Sequence, residues 1–324
     1  MPHYYLLAVS TRFHLEQCIK YALAGLTNST NGIWAFVDIR SEDFVSFLYG
    51  AKVFHLYKVD WKEALSNAET LPPWPSIFFR RSGTHYYFPF RLHLKPVRFF
   101  EESLVRSDFK YVAENLLLRG GYAKTHFQAD QTTLQSVSQM GTTLVGEIEP
   151  FQVSASAFTP RFTFSRGLVS PPQVFLFQEN VLHAVIKRYL SDLTNLKGFL
   201  NAFKSNELSP NELEVLGERA LPEGHADILV KEAVPIGMAR QIVIEVKKSN
   251  ATLDDVGQVQ AYVDEIGVEC KAGALIASGF NSKVLGALDE VGLCAFTYSF
   301  DSLDLTRVYS FEELCQSFRM NRVK

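Results

Sequence analysis

The sequence predicts an α/β (α+β) protein with a β-rich first domain and a second domain in which helices pack against a mixed sheet. In the first 130 residues, short apolar and aromatic runs typical of strands alternate with turn signals. From about position 173, helical periodicity alternates with short apolar runs. Residues 131–172 are rich in Ser, Thr and Pro and lack helical spacing. We therefore expect domains at 1–130 and 173–324, joined by a connecting segment at 131–172.

Composition limits the possible functions. The chain has 324 residues, 47% hydrophobic and 21% charged, with a net charge of −3. The overall charge therefore does not indicate a nucleic-acid partner, and any basic surface must be local. The four cysteines are scattered without metal-ligand spacing, which is typical of a reduced intracellular protein. With no signal-peptide pattern and no apolar run of about 18 residues, we predict a cytoplasmic protein with no membrane partner.

In the first domain, β-branched and aromatic runs mark the strands and apolar spacing marks the helices. The predicted strands are Tyr4–Ser10, Ile33–Val37, Val53–Val59, Ser76–Arg80 and Tyr86–Leu94. Helices are expected over Phe13–Leu26, after Ser41 and over Tyr111–Leu118. The turn cluster TNSTNG and the rigid loop LPPWP place Trp34 and Trp74 beside loops, where binding residues are common. These tryptophans are either core residues or the walls of a ligand site.

A run of cations follows in the same domain, and two interpretations of it stay open. Its members are Arg80, Arg81, Arg91, Lys95, Arg98 and Arg106. The long side chains either solvate one face of a sheet or form a local surface that contacts nucleic acid.

In the second domain, helices and strands alternate. The predicted helices are Asn180–Leu190 with Glu179 at its head, Leu193–Lys204, Asp254–Ile266 and Lys283–Val291. The predicted strands are Ala226–Val230, Ile242–Val246, Gly273–Ser278 and Cys294–Tyr298.

Two carboxylates and a lysine are expected to converge in this domain. Side chains alternate along a strand, so Glu245 and Lys247 share one face. The turn residues Pro235-Ile236-Gly237 predict a hairpin that brings Asp227 beside Glu245. A metal ion explains such a grouping well, whereas Glu-x-Lys alone is usually a solvated ion pair.

In their order along the chain, these residues resemble the PD-(D/E)XK nuclease superfamily, in particular its branch with a downstream Gln-x-x-x-Tyr helix. The segments that carry the resemblance are GHADILV, IVIEVKK and DDVGQVQAYV, within about residues 175–300. One departure is that no proline precedes Asp227.

The resemblance implies a role for each site residue. Asp227 and Glu245 would hold Mg²⁺ (or Mn²⁺) with the Val246 carbonyl, and Glu179 would be the further acid on the first helix. Lys247 would position and help deprotonate the attacking water, or stabilise charge on the phosphate. Gln258 would orient Lys247 or the phosphate, and Tyr262 would contact nucleic acid. The products would carry 5′-phosphate ends.

The first domain resembles the PUA-like group that contains the YTH and EVE domains, over about residues 25–120. The similarity lies in NGIWAF, EDFVSFLYGAKVFHLYKV, the proline-flanked Trp74 and PFRLHLKPVRF. It implies that Trp34 and Trp74 are walls of a cage for a methylated base, with Thr30 or Asn31 near the base edge. Stacking of a base on each face would contribute roughly 1–3 kcal/mol.

These features together predict a Mg²⁺-dependent DNA endonuclease of the restriction type whose first domain reads a modified base. Two alternatives stay open: a repair endonuclease specific for mismatched or branched DNA, and a nucleic-acid-binding module that does not cleave. DNA is the expected partner. Homodimerisation is compatible with double-strand cutting, but the sequence does not establish it.

Overall fold

The computed structural model describes residues 1–50, 52–79, 83–103, 125–143, 148, 151–203, 208–221 and 224–323. The chain divides into two compact units, Met1–Leu176 and Phe177–Lys324. The segment 131–172, expected to connect two domains, lies within the first unit.

The first unit combines a large mixed sheet with short helices. Its helices are α1 (Arg12–Tyr21), α2 (Thr30–Asp38) and α3 (Gln131–Ser138), with 3₁₀ turns at Ala68–Thr70 and Arg166–Leu168. Its strands are β1 (Tyr4–Ala8), β2 (Leu23–Leu26), β3 (Phe44–Tyr49), β4 (Lys52–Ala64), β5 (Ile77–Phe79), β6 (Thr84–Tyr86), β7 (Phe90–Phe99), β8 (His126–Ala129), β9 (Thr142–Thr143), β10 (Arg161–Thr163) and β11 (Val174–Leu176).

The strand order of the main sheet, over the described residues, is β2-β7-β4-β3-β1-β8, with β9 paired to β7. β1 runs parallel to β3, and the other pairs are antiparallel. Tyr4, Leu6 and Phe127 on the sheet pack with Leu134 and Val137 of α3 in a buried cluster. β5 pairs with β6, and β10 runs parallel to β11.

Helix α2 replaces the strand predicted at Ile33–Val37. The Ser29 hydroxyl accepts a hydrogen bond from the Gly32 N–H and caps the helix. Residue 32 must be glycine because a Cβ there would lie 1.8 Å from the Thr27 carbonyl oxygen. A cap and a tight turn, which fix the backbone locally, therefore override the β-propensity of IWAFV.

Other boundaries in the first unit also differ from the prediction. The helix expected over Phe13–Leu26 ends at Tyr21, because Ala22 adopts a left-handed conformation (φ 43°), and β2 follows. Strand β3, rather than a helix, follows Ser41. Helix α3 occupies residues expected to lack helix and is capped by Asp130. The helix predicted over Tyr111–Leu118 lies outside the described residues.

The second unit is a mixed sheet with helices against it. Its helices are α4 (Glu179–Leu190), α5 (Leu193–Leu200), α6 (Leu253–Ile266), α7 (Ser282–Glu290) and α8 (Phe311–Ser317), with 3₁₀ turns at Pro210–Glu212 and Gly267–Glu269. Its strands are β12 (Leu213–Leu221), β13 (Gly224–Glu232), β14 (Gln241–Lys247), β15 (Cys270–Ala277), β16 (Cys294–Phe300), β17 (Val308–Ser310) and β18 (Phe318–Arg322).

The sheet order β12-β13-β14-β15-β16-β18 places the predicted hairpin near its centre. β13 is antiparallel to β12 and β14, β14–β15–β16 are parallel, and β18 is antiparallel to β16. Val243, Leu275 and the α6 residues Val259 and Tyr262 are buried in one core cluster. β12 and the elements after β16 were not predicted from the sequence. Among the described helices, none is both long and apolar enough to cross a bilayer.

Candidate active site

The predicted hairpin brings Asp227 and Glu245 together. β13 and β14 pair antiparallel with Ile228 opposite Ile244, so Asp227 lies one position beyond the ladder, beside Glu245. The Asp227 Oδ2 accepts a hydrogen bond of 2.8 Å from the Val246 N–H. This bond fixes the first carboxylate against the strand that carries the second.

Both carboxyl groups lie in surroundings that disfavour their charged forms. Burial raises the pKa of Asp227 to about 7, although the Val246 hydrogen bond and the Lys247 charge act against it. Burial, followed by the charge of Asp227, raises the pKa of Glu245 to about 8. The Glu245 side chain is only 2% exposed, and its Oε2 has no hydrogen-bond partner among the described residues. Two such carboxyls favour either a shared proton or a bound cation.

Lys247 supplies the positive charge of the site. Its Nζ donates to Glu245 Oε1 at 2.7 Å and lies 3.4 Å from Asp255 Oδ1. Burial alone would lower the pKa of Lys247, but the hydrogen bond and charge of Glu245, with Asp227 and Asp255, raise it overall. The lysine is therefore an ammonium at neutral pH. It can hold a water or a phosphate oxygen, but in this state it is not a free base.

Glu179 lies at the start of α4, and its negative charge contributes to the raised pKa of Asp227. Its Oε2 accepts a hydrogen bond of 2.8 Å from the Lys248 N–H. The Lys248 carbonyl oxygen in turn accepts a 2.6 Å bond from the Tyr298 hydroxyl. Glu179 therefore anchors the chain just after β14, and in this arrangement the prediction that it binds metal stays a prediction.

Gln258 and Tyr262 contact each other rather than Lys247. The Gln258 Nε2 donates to the Tyr262 hydroxyl at 2.6 Å. That hydroxyl donates to the His225 carbonyl at 3.0 Å and accepts from the His225 N–H at 3.1 Å. Tyr262 is fully buried. The pair thus fixes the segment of β13 just before Asp227. Among the described contacts Gln258 has none with Lys247, and the buried Tyr262 has no exposed surface for nucleic acid.

Three neighbours of the site were not predicted. His183 Nε2 lies 3.7 Å from Asp227 Oδ2, and Glu218 adds negative charge near Asp227. The third is Asp255, beside Lys247. A helical-spacing signal was available for one of them, because His183 follows Glu179 by four residues and therefore lies on the same face of α4. Glu218 gave no signal because β12 was not predicted.

The donor set fits a divalent cation of the Mg²⁺ type. Among the described residues, no group of three or more His, Cys, Asp or Glu side chains is placed to hold a metal. Mg²⁺ commonly takes only one or two protein carboxylates and fills its shell with waters and phosphate oxygens. Asp227 and Glu245, whose Oε2 has no hydrogen-bond partner among the described residues, would supply those carboxylates. A cation there would polarise a phosphate and lower the pKa of a bound water.

The two predicted cage tryptophans are both buried in the first unit. Trp34 is 5% exposed and packs edge-on against His126, with ring centroids 4.6 Å apart. Trp74 is 4% exposed and packs against Phe88 and closely over Gly25. The structure therefore brings neither indole to an open cage, and a base could stack on them only after neighbouring side chains moved.

The remaining predicted contacts with nucleic acid are dispersed. Thr30 and Asn31 form the first turn of α2. Arg91 is only 1% exposed, donates to the Pro72 carbonyl at 2.7 Å and lies over the Trp74 ring. Arg91 is thus a core residue of this structure, contrary to the surface role predicted for it. Lys95 is exposed and pairs with Asp60 at 2.7 Å. Arg80, Arg81 and Arg106 lie outside the described residues.

Trp61, which was not among the predicted site residues, is an exposed tryptophan. It lies on β4 and is 44% exposed. One indole face stacks on His93, with ring centroids 3.6 Å apart and planes 5° from parallel. His93 Nε2 is in turn 2.8 Å from Glu63 Oε1. Packing thus holds the ring in a fixed orientation while much of its surface meets solvent.

Comparisons with known proteins give partial matches to DNA endonucleases. No protein-family model and no curated protein matches the chain. The EndoMS structure in complex with double-stranded DNA aligns with 32% of this chain and 42% of its own, at 23% identity and a TM-score of 0.22. A repair endonuclease from Pyrococcus abyssi aligns with 28% of this chain and 46% of its own, at 20% identity and a TM-score of 0.22. The MspJI restriction endonuclease in complex with a 27-mer oligonucleotide aligns with 90% of this chain and 64% of its own, at 8% identity and a TM-score of 0.23. The chain thus spans less than half the length of the first two structures.

Proposed function

We propose that the protein is a divalent-metal-dependent endonuclease that hydrolyses phosphodiester bonds in DNA. The observation that carries this proposal is the convergence of Asp227, Glu245 and Lys247, with the Glu245 Oε2 buried and without a partner among the described residues. A buried carboxylate oxygen without a partner is costly unless a ligand satisfies it. Phosphodiester hydrolysis needs this combination of hard oxygen ligands beside a cation that stabilises developing negative charge.

Each residue has a distinct role in this mechanism. Asp227 and Glu245 would hold the cation, which would supply charge neutralisation and an acidified water. Lys247, an ammonium, orients the attacking water or a non-bridging phosphate oxygen. Tyr262 and Gln258 keep the backbone before Asp227 in place, and Glu179 keeps the chain after Lys247 in place. These groups remain in register because they lie on strands and helices of one unit.

We further propose that DNA recognition, including any selection of a modified base, belongs to the first unit. Trp61 supports this role because its fixed, solvent-facing indole suits stacking on a base. Lys95, which is exposed, and Lys58, which is half-buried, lie opposite each other on neighbouring strands, and each pairs with one acid. Surface ion pairs of this kind are weak, and a phosphate can replace the acid. A cage of Trp34 and Trp74 would require both indoles to leave the core.

The test is cleavage of methylated (A or C) and unmethylated plasmid DNA with Mg²⁺ or Mn²⁺ and with chelator. The variants are Lys247→Ala and, as a matched control, Lys283→Ala, which removes an exposed lysine on α7. We expect metal-dependent cleavage by the wild type and Lys283→Ala, and none by Lys247→Ala. Preference for methylated DNA would support the modified-base reader, and equal cleavage would reject it while retaining the nuclease.

Two further results would support the alternative functions of the protein. Cleavage confined to mismatched, branched or single-stranded junction substrates would support a structure-specific repair endonuclease. Binding of DNA without cleavage of any substrate, with either metal, would contradict the nuclease and favour a binding module. The paired acids weigh against that module, because without a cation they destabilise the fold.

A further inference from the structure

The two carboxylate oxygens of Asp255 contact different groups. Oδ2 accepts hydrogen bonds from the Thr252 N–H at 2.7 Å and the Thr252 hydroxyl at 2.8 Å. These bonds complete the capping box at the start of α6. Oδ1 lies 3.4 Å from Lys247 Nζ. One oxygen therefore begins the helix, and the other faces the ammonium of the candidate active site.

Lys247 is held from two elements of the fold. Its first partner, Glu245, lies on the same strand two positions away, and its second partner, Asp255, lies on α6. A lysine side chain has four rotatable carbons and an ammonium that can swing between acceptors. A single partner on its own strand leaves much of that freedom, whereas a second acceptor on a rigid helix end restricts it.

Glu245 cannot serve Lys247 and a cation equally well. Its Oε1 accepts from Lys247, and its buried Oε2 has no partner among the described residues. A divalent cation held by Glu245 competes with the ammonium for the same carboxylate charge and repels it. Asp255, which is not one of the proposed cation ligands, is then the acceptor that keeps the lysine in the site.

We propose that Asp255 is a positioning residue that holds the Lys247 ammonium in place when Glu245 binds a cation. This role rests on the proposed nuclease function and adds a residue that the acid–Glu-x-Lys pattern does not contain. Thr252 and Asp254 provide internal comparisons. Thr252 shares the helix cap but is not near Lys247 in any described contact, and Asp254 is an exposed acid in the same first turn.

The kinetic experiment compares Asp255→Asn, Asp255→Glu, Thr252→Ala and Asp254→Asn in the full chain, on whichever DNA substrate the wild type cleaves. In Asp255→Asn the amide oxygen can still accept from Thr252, but the charge toward Lys247 is lost. We expect kcat to fall about 10–100-fold with KM unchanged and the melting temperature close to wild type. Asp255→Glu keeps both the charge and a capping-box residue, so kcat should return to within a few fold of wild type.

The comparison variants should show the reverse pattern. Thr252→Ala should lower the melting temperature by about 2–4 °C and reduce kcat less than Asp255→Asn does, since the Thr252 N–H still holds the Asp255 carboxylate and the charge toward Lys247 remains. Asp254→Asn should match the wild type in both measurements. A wild-type kcat in Asp255→Asn would overturn the positioning role. The positioning role would also be overturned if kcat fell in proportion to the melting temperature across all four variants.

A second measurement does not depend on cleavage. In protein labelled with ¹⁵N-lysine, a side-chain ammonium gives a sharp resonance only when ion pairs restrict its motion and exchange. The Lys247 resonance is assigned by its loss in Lys247→Ala. We expect this resonance to be sharp in the wild type and in Asp254→Asn. In Asp255→Asn it should broaden, most strongly with Mg²⁺. An unchanged resonance in Asp255→Asn would overturn the role of Asp255. Absence of cleavage by the wild type, with this NMR pattern intact, would contradict only the nuclease.

Discussion

Glu245 combines deep burial, a neighbouring like charge and an oxygen without a partner among the described residues. A carboxyl whose pKa is raised in the folded state binds protons more tightly there than in the unfolded chain, where the pKa is near 4. The free energy of unfolding of the metal-free protein should therefore fall as pH rises from about 4 through the raised values near 7 and 8. The contribution of Asp227 and Glu245 to the free energy of unfolding is therefore most favourable at low pH, where both are protonated in the folded and the unfolded protein.

We predict that Glu245→Gln changes this pH dependence. In chelator, wild type and variant should have similar stability near pH 5, and the variant should be more stable by roughly 3 kcal/mol at pH 8 because it carries no charge to bury. Urea unfolding at several pH values measures the difference, which belongs to the Asp227–Glu245 pair because the charge of Asp227 contributes to the raised pKa of Glu245. Parallel curves for the two proteins would contradict the argument from burial.

Mg²⁺ should affect the same two proteins differently. Saturating Mg²⁺ should raise the melting temperature of the wild type at pH 8 by several degrees, since a ligand that binds only the folded state stabilises it. Glu245→Gln should lose most of this gain, and its cleavage rate should fall by about 10²–10³-fold or more. An equal thermal shift in both proteins would place the cation elsewhere. Asp254→Asn, which alters an exposed acid on α6, is the matched control.

At the scale of elements, helix α6 lies directly against β15 and leaves no room for a side chain at Gly273. A Cβ at this position would lie 2.6–2.9 Å from side-chain atoms of Leu293, Val263 and Val259. We predict that Gly273→Ala lowers the free energy of unfolding by about 1–3 kcal/mol through overpacking. Cleavage should fall too if the shifted helix carries Asp255 away from Lys247. Denaturant unfolding and the kcat of the same preparation test both effects.

Gly286 provides the comparison for this prediction. It lies within α7, and a Cβ there would meet nothing within 4 Å. Gly286→Ala should therefore leave stability unchanged or raise it by about 0.5–1 kcal/mol, because alanine has the higher helix propensity. If Gly273→Ala were as well tolerated as Gly286→Ala, the close packing of α6 on β15 would not be a constraint.

The element scale also explains how much the sequence could predict. The hairpin, α6 and the parallel strands follow from local signals: a turn at Pro235–Gly237, a capped periodic helix and β-branched runs. The site residues on these elements were therefore predictable as a group. Helix α2 was not, because the apolar run after Gly32 has the composition of a strand and only the contact with Thr27 fixes its backbone.

The contacts of individual side chains were less predictable than their strands. Gln258 and Tyr262 were expected at Lys247 or the DNA, yet they bond to each other and to the backbone of His225. Trp34 and Trp74 were expected at a cage, but they complete the core of the first unit. Sequence patterns give the face of an element, whereas long-range packing decides whether that face meets solvent or another element.

At the scale of the whole molecule, the proposed recognition and cleavage residues belong to separate compact units. We predict that Trp61→Ala weakens DNA binding by about 1–3 kcal/mol, the value of one stacked base, without changing kcat at saturating DNA. Lys247→Ala should abolish kcat and retain binding. Fluorescence anisotropy with a labelled duplex and single-turnover cleavage separate these effects. Unchanged affinity in Trp61→Ala, with Trp34→Phe as the control, would remove Trp61 from the contact surface.

Net charge leads to a further expectation at this scale. The chain carries −3 overall, so attraction to DNA must come from local cations. The logarithm of the binding constant should fall linearly with the logarithm of salt concentration, and Lys95→Ala should reduce the slope by about one. Titration from 50 to 300 mM salt measures it. A slope unaffected by Lys95→Ala would place the phosphate contacts away from this lysine.

The hairpin that joins β13 and β14 has a consequence for the order of folding. Asp227 and the Val246 N–H that it binds are 19 positions apart, whereas Glu179 and the Lys248 N–H are 69 apart. By loop-closure entropy alone, the second contact costs about 1 kcal/mol more to form than the first. The paired acids and their lysine should therefore assemble early, and the first helix of the unit should dock afterwards on a preformed hairpin.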